Sequence, residues 1–339
     1  LLKGGKKMKK VNVAVVGATG MVGNTFLKVL EERNFPIDKF YVFASAKSAG
    51  SEIEFNGKKY IVEELNEQSF DKDIDIALFS AGGDISLKYA PIAASKGVTV
   101  VDNSSAWRMK ADVPLVVPEV NPNDVEWNKG IIANPNCSTI QAVVALKPLH
   151  DKYKIKRIVY STYQAVSGSG VKGVTDLEEG LKGNPHKFYA HPIANNCLPH
   201  IDVFTENGYT KEEMKMIEET KKIIGDQNLK ITATTVRVPV FNSHSESVNV
   251  EFYNDFDLHE LRELLKNSPG IVIQDDVAHN VYPLAIDAAG KDEVFIGRIR
   301  RDDSIDYGIN MWVVSDNIRK GAATNAVQIA ELLVEKQLV

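Results

Sequence analysis

Cysteine occurs twice in 339 residues, and one of the two stands where a nucleophile could be built. Cys137 lies in Asn134-Pro135-Asn136-Cys137-Ser138-Thr139, between a strand-like run at 130–133 and a helix-like run at 140–149. Pro135 and Asn136 break the strand, Asn136 or Ser138 can cap the helix, and Ile140, Val143, Val144 and Leu149 give it an apolar face at helical spacing. A cysteine in that first turn meets unpaired amides and the positive end of the helix, which favour the thiolate over a thiol of pKa about 8.5. A free cysteine taken alone is more often a small buried apolar residue. Cys197 fits that plainer reading, because Asn195-Asn196-Cys197-Leu198-Pro199 has no strand-to-helix setting. A histidine nearby would complete the activation of Cys137. His244, with Arg237, Ser245 and Glu246, stands at one end of paired strand-like runs.

Those residues need elements to hold them. From residue 11 to 133 the pattern alternates: strands at 11–16, 40–44, 74–80 and 98–102, helices at 21–33 and 85–96. Alternation of this kind predicts an α/β fold with a Rossmann-type parallel sheet covered on both faces. From about residue 154 the pattern changes to β-rich runs at 155–165, 230–240, 246–253, 294–301 and 307–314, with helices at 210–224 and 258–266. This predicts an α+β part with an antiparallel or mixed sheet and helices on one side. A last helix is expected at 319–336, and the Gly/Pro-rich segment 180–199 reads as a long surface excursion.

Gly17-Ala18-Thr19-Gly20-Met21-Val22-Gly23 follows the first strand and opens the first helix. Its spacing is GxxGxxG rather than GxGxxG, but the work is the same: a tight turn, close backbone approach to a pyrophosphate, and amides at a helix end to hold it. A glycine-rich turn with no ligand is the alternative, and glycine patterns alone are weak. At the end of the second strand an NAD enzyme usually carries Asp or Glu for the ribose hydroxyls. This chain has Ala44-Ser45-Ala46-Lys47-Ser48-Ala49-Gly50, two hydroxyls and a lysine, which suit a 2'-phosphate and point to NADP. An ordinary solvated turn is the plain alternative.

With 44% hydrophobic and 25% charged residues, the chain is ordinary globular stock with room for two cores. The formal charge of −5 is spread rather than blocked, so neither a nucleic-acid partner nor a membrane is expected. Two cysteines with no CxxC or Cys/His cluster fit neither a disulfide framework nor a metal site, and a reducing cytoplasm is the expected location. The lysine-rich start is expected as a solvated tail ahead of Met8, since no apolar stretch long enough for a signal peptide follows it.

Taken together, the chain resembles the aspartate-semialdehyde dehydrogenases along nearly its whole length. The resemblance rests on the glycine loop, Phe79-Ser80-Ala81-Gly82-Gly83, Val117-Pro118-Glu119-Val120-Asn121, the Cys137 segment, Ser161-Thr162-Tyr163-Gln164-Ala165-Val166-Ser167-Gly168, Val236-Arg237-Val238-Pro239 and His244-Ser245-Glu246-Ser247. It implies NADP-dependent interconversion of 4-phospho-aspartate and aspartate 4-semialdehyde through a Cys137 thioester, with phosphate as co-substrate, in lysine, threonine, methionine and diaminopimelate biosynthesis. It implies His244 as acid/base, Gln164 orienting the substrate, Arg237 on the α-carboxylate, Arg108 on phosphate, and Asn136 in the substrate site. Glu212 and Lys215 match the pair used for ammonium and phosphate, although Glu219 and Lys222 repeat the spacing and leave the choice open. On the cofactor side it implies Gly17, Thr19, Gly20, Met21, Val22, Ser45, Lys47, Ser48, Gly82, Ser167, Gly168 and Asn325.

The resemblance further implies a homodimer and two domains: a dinucleotide-binding domain at 9–136 completed by 317–339, and a catalytic and dimerisation domain at 137–316. Two departures stand out: Trp107 where many members have Phe, and a segment 180–199 shorter than in some versions. The alternatives are N-acetyl-γ-glutamyl-phosphate reductase and glyceraldehyde-3-phosphate dehydrogenase, which share the thioester logic, and a catalytically silent dinucleotide-binding protein.

Overall fold

The computed structural model describes residues 9–339, so the tail expected ahead of Met8 lies outside the described residues. The chain divides into two compact units: one runs to Asn134 and is completed by Ala323–Val339, the other is Pro135–Ala322.

The first unit alternates β1 (Val11–Val16), α1 (Met21–Glu32), β2 (Ile37–Ala44), a hairpin of β3 (Glu52–Phe55) and β4 (Lys58–Ile61), β5 (Glu63–Glu64), β6 (Ile76–Phe79), α2 (Gly83–Ser95), β7 (Thr99–Asp102) and β8 (Ile131–Ala133). Its six-stranded sheet has the order β5-β2-β1-β6-β7-β8, and every pairing is parallel. β1 is buried at all six positions, as an unbroken apolar run in a two-sided sheet must be. The order reverses at β1, which lies between β2 and β6, and ligands of such sheets bind beyond the strand ends at that point.

The second unit contains α3 (Cys137–Tyr153), β9 (Ile155–Gln164), α4 (Val171–Leu181), α5 (Lys211–Ile224), β10 (Lys230–Arg237), β11 (His244–Phe252), α6 (Leu258–Lys266), β12 (Ile271–Ile273), α7 (Ala285–Ala288), β13 (Val294–Asp302) and β14 (Gly308–Ser315). The six strands run β10-β9-β11-β14-β13-β12 in a mixed sheet: β10–β9 and β12–β13 are parallel, the other pairs antiparallel.

Three expectations are corrected. The helix expected at 140–149, with Cys137 in its first turn and Pro148 inside it, runs from Cys137 on to Tyr153, because burial of Leu149, His150 and Tyr153 carries it past the missing amide of Pro148. The segment 180–199 is not simply a surface excursion. Gly180 and Leu181 close α4, Ile193 and Leu198 are buried with Val166 and Leu177, and Leu198 exchanges both backbone hydrogen bonds with Arg237. The last helix opens as a π-helical turn, Arg319–Ala323, before its regular part, Thr324–Glu335.

Candidate active site

Asn136, with extended backbone, caps α3: its side-chain oxygen accepts from the amides of Ser138 at 3.0 Å and Thr139 at 3.3 Å. Such a cap is worth about 1 kcal/mol, and it leaves Cys137 as the first helical residue, half-buried. Gly321 packs against it so closely that a Cβ there would stand 2.9 Å from the cysteine Cβ.

Strand register brings the partners. Arg237 on β10 pairs with Gln164 on β9, Gln164 and His244 each lie one residue beyond the Tyr163–Ser245 pair, and His244 pairs with Ser315 on β14. Arg237, Gln164 and His244 therefore form one cross-strand row on one face of the sheet. His244 is fully buried and its Nε2 lies 3.2 Å from Cys137 Sγ. Its Nδ1 accepts the Ala165 amide at 3.0 Å, so in the neutral ring the proton sits on Nε2, facing sulfur. Burial first, and the Arg237 charge second, hold the imidazole well below its usual pKa. The sulfur is thus an acceptor, and the thiolate is the form that accepts best.

Arg237 is 4% exposed and donates from Nη1 to the Ala165 carbonyl at 2.6 Å, while its buried Nε has no protein partner. That orphan donor beside Cys137's partners is what a carboxylate ligand would satisfy. Glu212 accepts from Asn136 Nδ2 at 2.9 Å, Gln164 Nε2 at 3.3 Å and Lys215 at 3.0 Å. Burial pushes its pKa up, but Lys215, Asn136 and Arg237 together outweigh that and hold it below the usual carboxylate range. Lys215 also binds Asp202 at 2.9 Å, and the two carboxylates overcome its burial and raise its pKa. Glu219 accepts the Asn136 backbone amide at 2.7 Å, beneath the cap. Of the two Glu/Lys pairs, the carboxylate of Glu212 is the one that touches Gln164.

The first unit holds the remaining candidates. Gly17 has φ +83°, and a Cβ there would meet the Ser80 carbonyl oxygen at 2.3 Å, so this turn admits only glycine. Gly20 precedes α1 with no side-chain cap, which leaves the first-turn amides of Met21 and Val22 to a ligand. A cavity of about 420 Å³ is lined by Gly17, Thr19, Gly20, Ser45, Glu64 and Ser80 among others. Thr19 and Ser48 join their hydroxyls at 3.2 Å; Ser45 and Lys47 are exposed beside them. Gly82 has φ +90° just before α2. These residues fit a dinucleotide. Arg108 is buried, bonded to the carbonyls of Asn134 at 2.9 Å and Asn103 at 3.0 Å. Asn325 is buried, donating from Nδ2 to the Val116 carbonyl at 3.0 Å and to Asn134 Oδ1 at 2.7 Å.

Ser167 and Gly168 fall in the second unit. Ser167 is bonded to Asn317, and a Cβ on Gly168 would press on Arg237 Nη1 at 2.9 Å and His244 at 3.2 Å. Sequence reasoning missed Asn317, which also accepts the amide of Ser243 at 2.8 Å and so holds that residue at φ +72° directly before His244. An Asx residue just past a strand end was the available signal. It also missed Asp202, Gly321 and the Ala165 amide, of which the last two carry no side-chain signal.

The profile described as semialdehyde dehydrogenase, NAD binding domain, matches residues 12–127, and that described as semialdehyde dehydrogenase, dimerisation domain, matches residues 146–320. An aspartate-semialdehyde dehydrogenase of Aquifex aeolicus is 59% identical over 336 residues, covering 96% of this chain and 99% of the relative. The crystal structure of aspartate semialdehyde dehydrogenase II from Vibrio cholerae, also solved complexed with ASA, superposes with TM-score 0.93 at 50% identity, over 96% of this chain and 99% of that one. A Candida albicans aspartate semialdehyde dehydrogenase solved with NADP gives TM-score 0.78 at 25% identity, over 98% of this chain and 100% of the other.

Proposed function

This chain belongs to the aspartate-semialdehyde dehydrogenase family, oxidoreductases acting on an aldehyde group in amino-acid biosynthesis, and from that premise we propose how its own residues carry the reaction. In the biosynthetic direction the Cys137 thiolate attacks the carbonyl carbon of 4-phospho-aspartate. A C–S bond forms, the C–O bond to phosphate breaks as the departing phosphate takes up a proton from solvent, and a thioester remains. NADPH, when bound, supplies the hydride that reduces this carbonyl. The resulting alkoxide re-forms C=O and releases the thiolate.

The observation that carries this reading is the 3.2 Å approach of His244 Nε2 to Cys137 Sγ, with the Arg237 orphan Nε in the same row. Where the resemblance implies an acid/base, the Ala165 amide on Nδ1 makes His244 a neutral donor instead: it keeps its proton on Nε2 and donates it as a hydrogen bond, first to the thiolate and then to each oxyanion. Both oxyanions collapse without taking a proton, so a neutral imidazole suffices as donor. Arg237 takes the α-carboxylate on its free edge, Glu212 the ammonium and Lys215 the phosphate; Arg108 keeps the phosphate role that its match to the family motif implies. Gln164 and Asn136 keep Glu212 ionised and the substrate aligned. An assay of phosphate-dependent oxidation of aspartate semialdehyde with NADP, set against the N-acetylated glutamate analogue, tests the substrate assignment. Preference for the acetylated analogue contradicts it, because Glu212 then faces no cation.

NADP is held by the amides of Met21 and Val22, by Gly17, Thr19 and Gly20, and by Ser45, Lys47 and Ser48 around the 2'-phosphate. Glu64 lines the same cavity and opposes a second negative charge, so Lys47 is the residue that tips the balance. Lys47→Ala is expected to raise KM for NADP about tenfold or more with little change for NAD, since a charge-assisted bond is worth about 1.5–3 kcal/mol. An unchanged NADP/NAD ratio removes Lys47 from the site.

The working unit is a homodimer in the cytoplasm. The sheet face opposite His244 carries Tyr163 and Trp312, with Tyr282 beside Trp312 from the segment before α7, and Tyr163 and Tyr282 are each 38% exposed, so a second copy has an apolar surface to cover. Sedimentation at micromolar concentration is expected to give twice the chain mass; a monomer contradicts this. No described helix is long and apolar enough to cross a membrane.

A further inference from the structure

Glu246 is fully buried two residues beyond His244 on the same face of β11, and neither of its carboxyl oxygens has a protein partner. Every other buried acid of the catalytic unit has donors. Glu212 and Glu219 are held as described, and Glu213 takes the amides of Thr210 and Thr235. Asp176 takes the amides of residues 187–189, and Asp316 those of Gly290, Ile318 and Arg319. Glu246 sits in the second cross-strand row, Thr235–Thr162–Glu246–Val313, directly behind the row of Arg237, Gln164 and His244.

No cation faces it from this row. On its sheet face the charged or titratable groups are Tyr160 of β9, tied to Thr220 of α5, and, in the row ahead, His244 and the Arg237 cation, whose Nη1 is taken by the Ala165 carbonyl; α5 contributes Glu213 and Glu219, and α3 contributes Cys137 against His244 and the uncharged Ser138 and Gln141. A carboxylate with no hydrogen bond and no ion-pair partner in contact is far costlier to bury than the neutral acid, and burial indeed pushes this group well above the usual carboxyl range.

Gln141 shows what a protonated carboxyl would do. From α3, one turn after Cys137, its Nε2 reaches the carbonyls of His244 at 3.3 Å and of Val313 at 3.4 Å, the latter being the cross-strand partner of Glu246. Its Oε1 is buried with no donor. We propose that Glu246 stands as a neutral carboxylic acid whose O–H pairs with the Gln141 carboxamide oxygen, and that this strap between α3 and β11 sets the separation of Cys137 and His244. Glu246 is thus a positioning residue, and its effect on turnover rests on the reading of Cys137 as nucleophile.

The test uses Glu246→Ala and Glu246→Gln in the full-length protein. Glu246→Ala is expected to lower kcat and the rate of Cys137 alkylation by iodoacetamide roughly 10²-fold with KM little changed, as a displacement of about 1 Å at the reacting groups would. Glu246→Gln, a neutral donor of the same shape, is expected to restore most of both. Thermal stability reads the proton without reference to catalysis. Above the ordinary carboxyl pKa the unfolded chain releases a proton that folded Glu246 keeps, so wild-type stability falls as pH rises. The melting temperature of Glu246→Gln relative to wild type should therefore climb between about pH 5 and pH 8. An infrared acid C=O band at neutral pH should vanish in the same variant. A flat melting-temperature difference, or a Gln variant as impaired as the Ala variant, overturns the proposal. A climbing difference with no effect of either variant on alkylation leaves the neutral acid standing and overturns its positioning role.

Discussion

Cys137→Ala abolishes turnover of aspartate semialdehyde in both directions, a fall of roughly 10⁴–10⁶-fold, while NADP still binds. The size follows from the chemistry: without sulfur there is no acyl-enzyme, and no other described side chain combines a nucleophilic atom with the first turn of α3 and the Nε2 of His244. The fold should survive. Cys137 is half-buried, and the cap that starts its helix belongs to Asn136. Steady-state assay together with a melting curve separates loss of the nucleophile from loss of structure, and measurable phosphate-dependent oxidation in a folded Cys137→Ala enzyme counts against the thioester.

His244→Ala has the second largest effect, about 10²–10³-fold in kcat, the range for removing one donor to a developing oxyanion. His244→Gln keeps a neutral N–H near the place of Nε2 and should recover part of it. The pH dependence gives a sharper reading. Because burial and Arg237 hold the imidazole well below its usual pKa, His244 stays neutral as pH falls through the ordinary histidine range. Wild-type activity should therefore persist below pH about 6.5, where an exposed histidine would already be half-charged. Stability moves the other way. From the ordinary pKa downward the unfolded chain binds a proton that folded His244 refuses, so the fold weakens as pH falls, and His244→Gln removes that share of the loss. An activity profile that breaks at pH about 6.5 and loses the break in His244→Gln would show a proton-transferring imidazole instead.

Much of this was legible in the residues themselves. The run Val11–Val16 followed by the glycine loop, and the Pro135-Asn136 break before an apolar helix, state their geometry locally, and the structure reproduces both. The Asn56-Gly57 turn was just as local. It joins β3 to β4 with both residues at positive φ, a hairpin signal that stood in the sequence unread. Other features depend on partners far along the chain. Nothing near Leu149 says that α3 runs on to Tyr153, since tertiary burial decides that. Nothing in 193–198 announces that Leu198 will brace Arg237. The cross-strand row exists only once residues 164, 237 and 244 are in register, and the tautomer of His244 is set by a backbone amide, which every sequence possesses and none displays.

The thioester itself can be caught. Mixing enzyme with 4-phospho-aspartate in the absence of NADPH should release a stoichiometric burst of phosphate and leave an aspartyl adduct on Cys137, visible by mass spectrometry after acid quench. No burst, an adduct on any other residue, or an undiminished burst from Cys137→Ala would contradict covalent catalysis at this sulfur.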